Sequence, residues 1–272
     1  MNRAPAVAKV NLALVVGPRR NDDRHEVATV LQRIDLADRI AVEPASKLSV
    51  KGFAEDTLVR GALEELAAAA GTKPRWAARI WKQIPVAAGL GGGSSDAATA
   101  LRLANEMLPE PLSAEALHEL AARLGADVPF FLTAGPQLGE GTGTDLRPLD
   151  LPQDYWIVLV LPKDARKEST ASVYAAFDQR GGEDGYAERR ARLDKTLAAV
   201  HRASDLAGLP PNDLASSPLT DELRELGAFR ADVSGAGPTV YGLFQHRKPA
   251  AAAERALRRV GRTWLSVPTW YG

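Results

Sequence analysis

Residues 85–98 read Pro-Val-Ala-Ala-Gly-Leu-Gly-Gly-Gly-Ser-Ser-Asp-Ala-Ala, with four glycines in the five positions from 89 to 93. Upstream, Trp76, Ala78 and Ile80 alternate with Ala77, Arg79 and Trp81, the period of a strand. Downstream, Ala97, Leu101, Ala104 and Leu108 recur at helical spacing among strong helix formers. The glycines therefore join a strand to a helix N-terminus. There the first backbone N–H groups have no partner in the helix, and the dipole end is positive. Glycine lets backbone approach a ligand closely, and phosphate suits this geometry best. Two commoner glycine loops are excluded. Gly93-Ser94-Ser95 lacks the lysine of a Walker A loop, and Ser94 stands where a dinucleotide fingerprint needs its third glycine.

Working outward, residues 6–16 alternate as a strand. Ala8, Val10, Leu12, Leu14 and Val16 share one face, and Lys9 and Asn11 share the other. Gly17 to Asp23 is a charged turn, and apolar periodicity resumes from His25 to Leu36. Short strands are predicted at 38–42 and 48–50, and an amphipathic helix over 57–70 stopped by Gly71. Ser113 caps a further helix that Gly125 ends. The Gly-, Thr- and Pro-rich stretch 135–149 precedes the apolar strand Trp156–Leu161, so a domain boundary is expected near 150, dividing 1–150 from 151–272. Later come a helix over 186–201, a strand–turn–strand unit around Ser234-Gly-Ala-Gly237 and a basic helix over 249–259. Arg255, Arg258 and Arg259 there read as a solvated face.

The chain has 272 residues, 45% of them hydrophobic, enough for a proper core. Lysine plus arginine equals aspartate plus glutamate at 34 each, so no global charge argues for nucleic acid or an acidic membrane. The absence of cysteine excludes disulfides and thiolate metal sites. The N-terminus lacks a signal pattern and no apolar run is long enough to span a bilayer, so a cytoplasmic protein is expected.

The run Pro85–Ala98 resembles the second signature of the GHMP kinases, which phosphorylate small metabolites with ATP and Mg2+. Ala8-Lys-Val-Asn-Leu12 resembles their first signature and Val233-Ser-Gly-Ala-Gly-Pro-Thr-Val-Tyr241 their third. The resemblance implies an α+β protein of two domains: one like the second domain of ribosomal protein S5, then a ferredoxin-like one, with the active site between them. Within the family, Gly91-Gly-Gly-Ser-Ser-Asp96, Leu124-Gly-Ala-Asp-Val-Pro-Phe-Phe131 and His25 point to members acting on a cytidyl diphosphate sugar alcohol. The partner expected is that small molecule, with neither nucleic acid nor membrane, in a monomer or weak homodimer.

Phosphoryl transfer asks a protein mainly for positioning and charge neutralisation. The resemblance implies ATP contacts from Pro85, Ala87, Gly89, Leu90, Gly91, Gly92, Gly93, Ser94 and Ser95, with Ser94 or Ser95 on the metal. Taken alone, either serine is also a ready helix cap. Asp127 would orient and deprotonate the substrate hydroxyl, with Lys9 as the paired cation. Asn11, Arg24, His25, Tyr174 and Gly235 would contact substrate. The family reads the cytosine edge with the equivalent histidine, and an imidazole can both donate and accept there. Arg24 departs from the pattern, since the family usually has a tyrosine before that histidine to stack on the base. A guanidinium plane can stack too. The departure leaves open a kinase for another small alcohol such as homoserine. A non-catalytic nucleotide-binding regulator is the third reading, and the presence of both Lys9 and Asp127 argues against it.

Overall fold

Two long antiparallel strands, β1 (Asn2–Arg19) and β2 (His25–Pro44), open the chain. The computed structural model describes residues 2–56, 58–165 and 169–269. Every residue of β1 from Ala6 to Gly17 is buried, so the Lys9–Asn11 face is covered as fully as the apolar one. Register shifts at Val7/Ala8 and Asn11/Ala13 turn the strand between three apolar clusters. The sequence predicts a break before Asp38, yet β2 runs unbroken for 20 residues. Asp38 is tolerated there because it is fully satisfied. Its Oδ1 accepts from Ile84 N (2.9 Å) and Gln83 N, and Lys82 pairs with Oδ2.

Next come β3 (Ser49–Lys51), α1 (Leu58–Ala69), β4 (Trp76–Trp81), α2 (Gly92–Asn105) and α3 (Ala114–Leu124). In β4, Trp76, Ala78 and Ile80 face the core, as the alternation predicts. Ser113 caps α3, accepting from Ala116 N at 3.2 Å. The helix α2 is buried nearly all round between α1 and the sheet, which suits its alanines. A 3-10 turn at Pro129–Leu132 leads to β5 (Gln137–Glu140) and β6 (Asp145–Pro148). These strands form a hairpin inside the Gly-, Thr- and Pro-rich stretch that precedes the expected boundary. Gly141 (φ 65°) and Gly143 (φ 94°) make its turn. The first sheet has the order β3-β4-β2-β5-β6, with β1 on β2.

The second sheet holds β7 (Trp156–Pro162), β8 (Arg230–Val233), β9 (Val240–Phe244) and β10 (Gly261–Ser266). Helices α4 (Thr170–Gln179), α5 (Tyr186–Ala198) and α6 (Leu219–Glu225) intervene before β8, and α7 (Arg247–Leu257) lies between β9 and β10. All its pairings are antiparallel in the order β10-β7-β9-β8, the 4-1-3-2 arrangement of a ferredoxin-like sheet. The reading of residues 151–272 lacks α4, α6 and β10. Arg258 is paired with Glu254 at 2.9 Å, and Arg259 with Glu222.

The core is not divided at residue 150. Ala8, Val10 and Leu12 of β1 pack in one cluster with Ile157, Leu159 and Leu243 of the second sheet. Each fully buried Leu or Ile there contributes roughly 1.5–3 kcal/mol. Among the described residues, no helix is long and apolar enough to cross a membrane.

Candidate active site

The glycine loop leaves β4, passes against the β8–β9 turn and ends at α2. Gly91 is the N-cap residue, left-handed at φ 69°, and no side chain among the described residues caps the helix. The regular ladder starts when Ser95 N donates to Gly91 O at 2.9 Å. The N–H groups of Gly92, Gly93 and Ser94 thus precede it. Pro85, Ala87, Gly89, Leu90 and Gly91–Ser94 line a cavity of about 430 Å³. Ser94 also lines the next cavity, whereas Ser95, 1% exposed, lines neither.

Two glycines serve packing. A Cβ on Gly89 would lie 2.2 Å from Ser234 O and 2.8 Å from Gly237 O. The sequence reading takes Gly92 as a place for close phosphate approach. A Cβ there would meet Ile84 Cγ2 at 2.9 Å, so the missing side chain also makes room for the protein itself. Ala87 holds a left-handed φ of 53° without glycine's freedom.

Beyond the loop, a cavity of about 370 Å³ holds Lys9, Asn11, Asp127 and Gly235. Lys9 is 3% exposed and rigidly placed, its backbone N–H donating to Leu90 O at 3.0 Å. Its Nζ donates to Asn11 Oδ1 at 2.6 Å and stands 3.3 Å from Asp127 Oδ2. A hydrogen-bond chain fixes the amide of Asn11. Its Nδ2 donates to Thr29 Oγ1 (2.8 Å), whose hydroxyl donates to Ala13 O (2.9 Å). Ser234 clips β1 to the loop, accepting from Asn11 N (3.3 Å) and donating to Gly89 O (2.9 Å). Asp127 sits between α3 and the 3-10 turn with its side chain 38% exposed. Arg33 steadies that turn from below. It donates to Gly135 O (2.8 Å) and Phe130 O, with its guanidinium 4.2 Å from the Phe130 ring centre. Burial lowers its pKa to about 10.

A third cavity, about 380 Å³, contains Arg24, His25, Tyr174 and Asp178. The His25 ring is stacked on Tyr174 (4.9 Å between centres, 30°) and edge-on to Phe177 (5.8 Å, 90°). Its Nε2 lies 2.7 Å from Asp178 Oδ1. Tyr174, expected to contact substrate, thus rests on the histidine itself. Burial, with the Asp127 charge second, pushes its hydroxyl up to about 12. Arg24 is exposed and paired with Asp22 at 3.4 Å.

The three cavities form one trough. Gly89, Gly91 and Ser94 separate the first two, Tyr174 and Val27 the second and third, and Thr170 borders all three. Thr170 and Asp178 escape the sequence reading because α4 does. Its available signal is Ser169 as N-cap with Val173 and Phe177 four residues apart. A buried triad under the first cavity is also missed. Lys82 Nζ faces Asp38 and, at 2.8 Å, Asp96 Oδ2, while Asp96 Oδ1 has no hydrogen-bond partner among the described residues. Burial, then the Asp38 charge, pushes Asp96 up to about 7 against the pull of Lys82.

The models of the GHMP kinases N terminal domain and the GHMP kinases C terminal region match residues 57–135 and 211–263. The 4-diphosphocytidyl-2-C-methyl-D-erythritol kinase of Pelotomaculum thermopropionicum is 37% identical across 98% of this chain and 97% of its own length. The kinase of the same name from Anaeromyxobacter is 39% identical across 93% and 85% respectively. A crystal structure of 4-(cytidine 5'-diphospho)-2C-methyl-D-erythritol kinase superposes with a TM-score of 0.80 at 32% identity, covering 98% of this chain and 99% of that one. A mevalonate kinase structure, at TM-score 0.75 and 14% identity, shares the fold.

Proposed function

Because the chain belongs to the GHMP kinase family, we propose that it transfers the γ-phosphoryl group of ATP to the 2-hydroxyl of 4-diphosphocytidyl-2-C-methyl-D-erythritol. The supporting observation is the Lys9–Asp127 pair, 3.3 Å apart in the middle of the trough, with a helix N-terminus on one side and an aromatic, histidine-bearing cavity on the other.

The first cavity suits the phosphates of ATP, since three N–H groups and a positive helix end face it without a capping side chain. For Mg2+, no cluster of three or more His, Cys, Asp or Glu side chains converges among the described residues. Ser94 and Asp127 border the same cavity. An ion that keeps several waters and takes phosphate oxygens needs little more. When bound it neutralises charge on the phosphates.

Asp127 accepts a hydrogen bond from the attacking hydroxyl and takes its proton as the new oxygen–phosphorus bond forms and the bond from the γ-phosphorus to the β,γ-bridging oxygen breaks, leaving ADP. Lys9, buried and held by Asn11, puts a fixed positive charge beside the moving phosphoryl group. Because β1 and the Ser234 clip hold Lys9 and Asn11, little reorganisation remains for the reaction. The His25 cavity takes the cytidyl end. ATP consumption by the purified chain on the cytidyl substrate, homoserine and mevalonate tests this. Clear preference for the cytidyl substrate is expected, and faster turnover of homoserine overturns the reading.

A further inference from the structure

His25 and Asp178 are 153 residues apart in sequence and meet at 2.7 Å on the wall of the third cavity. We infer that Asp178 is a specificity-determining residue: by accepting the Nε2–H of His25 it holds the imidazole as a hydrogen-bond acceptor at Nδ1, so that the cavity selects an aminopyrimidine over an oxopyrimidine. This inference rests on the cytidyl-substrate reading above.

A neutral imidazole carries one N–H, and the partner of one nitrogen decides which tautomer exists. A carboxylate only accepts, so Asp178 Oδ1 fixes the proton on Nε2. Among the described residues, no protein group bonds to His25 Nδ1, which is not sealed off as a buried orphan either. The ring cannot swing to offer the other nitrogen. Tyr174 stacks on it at 4.9 Å and Phe177 abuts it edge-on at 5.8 Å. Asp178 is itself reachable, its side chain 42% exposed, and among the described residues its other carboxylate oxygen has no partner.

The histidine and its carboxylate together therefore present acceptors and no donor. Cytosine offers the N4 amino group to such a surface. Uracil offers the O4 lone pairs at that place, and its N3–H meets Nδ1 only if the base slides along its edge. Asp178 touches no reacting atom and acts through His25 as a positioning residue.

The test compares cytidyl and uridyl forms of the substrate with wild type, Asp178→Asn and Asp178→Glu. Asparagine can also donate to Nε2, which releases the tautomer. It is expected to cut the cytidyl-over-uridyl preference in kcat/KM by about 10- to 100-fold, the worth of one mispaired polar contact. Most of the change should fall in KM for the cytidyl form. Glutamate, still an acceptor only, should keep the preference within about threefold. A merely structural residue would lower both substrates equally in Asp178→Asn, and that result overturns the inference. So does a wild-type enzyme that turns over both forms alike, which leaves the kinase reading standing. A wild type inert toward the cytidyl form defeats the kinase reading itself, and this inference with it. One measurement needs no variant. Long-range proton–nitrogen spectra of the wild-type histidines should show Nδ1 of His25 unprotonated, and a protonated Nδ1 with bare Nε2 overturns the assignment.

Discussion

Gly89→Ala probes the seam between the glycine loop and the β8–β9 turn. The new Cβ would sit 2.2 Å from Ser234 O and 2.8 Å from Gly237 O, on a backbone at φ 77°. Ordinary contact asks for roughly 3.5 Å, so the opposing backbone must retreat by about 1 Å. The left-handed conformation costs about 1–2 kcal/mol for alanine, and overpacking adds about 1–3 kcal/mol. Gly71→Ala is the control, because it has φ 61° and nothing within 4 Å. It should lose only the conformational part. At about 2–4 °C per kcal/mol for a chain near this size, Gly89→Ala should melt about 2–12 °C below Gly71→Ala. Activity should follow. Gly89 O accepts from Ser234 Oγ, which accepts from Asn11 N, and Asn11 holds Lys9. A shift of that size at a reacting centre costs about 100-fold in turnover. Calorimetric melting of both variants, with steady-state kcat, checks this. Equal melting temperatures and near-wild-type turnover in Gly89→Ala would refute the reasoning.

Further outcomes follow from the same geometry. Asp127→Asn should lower kcat by about 10²–10⁴-fold with little change in substrate binding, and Lys9→Met should also cut turnover; rapid-quench assays with calorimetric binding separate the two effects. Ser94→Ala should raise KM for ATP, whereas Ser95→Ala, at a buried position, should leave it unchanged; equal effects would contradict the placement. Asp96 binds a proton in the folded state up to about pH 7 but in the unfolded chain only up to about 3.8. Its contribution is therefore fully present below about pH 3.8 and is lost as pH rises through about 7, with a slope of up to about 1.4 kcal/mol per pH unit. Urea midpoints measured across that range should show a flatter profile in Asp96→Asn than in wild type.

What sequence makes legible is local chemistry. The phosphate loop announces itself because strand, glycines and helix lie within 30 consecutive residues. Lys9 and Asn11 sit two apart on one strand, and their side chains do bond. Asp127 carries its turn with it. What stays hidden is long-range compensation. Asp38 looks like a strand breaker because its partners, Lys82, Gln83 and Ile84, are more than 40 residues away. Gly139, Gly141 and Gly143 carry no strand pattern, although β2 pairs with that segment as a sheet. The carboxylate partner of His25 belongs to no contiguous motif, and its helix has only two fully buried apolar residues to reveal it. Ser95 shows the opposite limit. It is chemically identical to Ser94, and one step along the helix turns it from the cavity into the core.

The first strand is made long before it is enclosed. Tyr241, whose hydroxyl donates to Leu12 O, lies 229 residues later, and Ser234 closes on Asn11 across 223. At ribosomal speeds of about 5–20 residues per second, β1 waits about 10–45 s for these partners. Throughout that interval an apolar ribbon, Ala6 to Val16 against β2, lacks the sheet that will cover it. Such a ribbon is a natural client for a holding chaperone and a nucleus for nascent-chain aggregation. Prematurely terminated chains ending before the β8–β9 turn would expose the same surface permanently, so the vulnerability of this protein lies in its synthesis as much as in its finished fold.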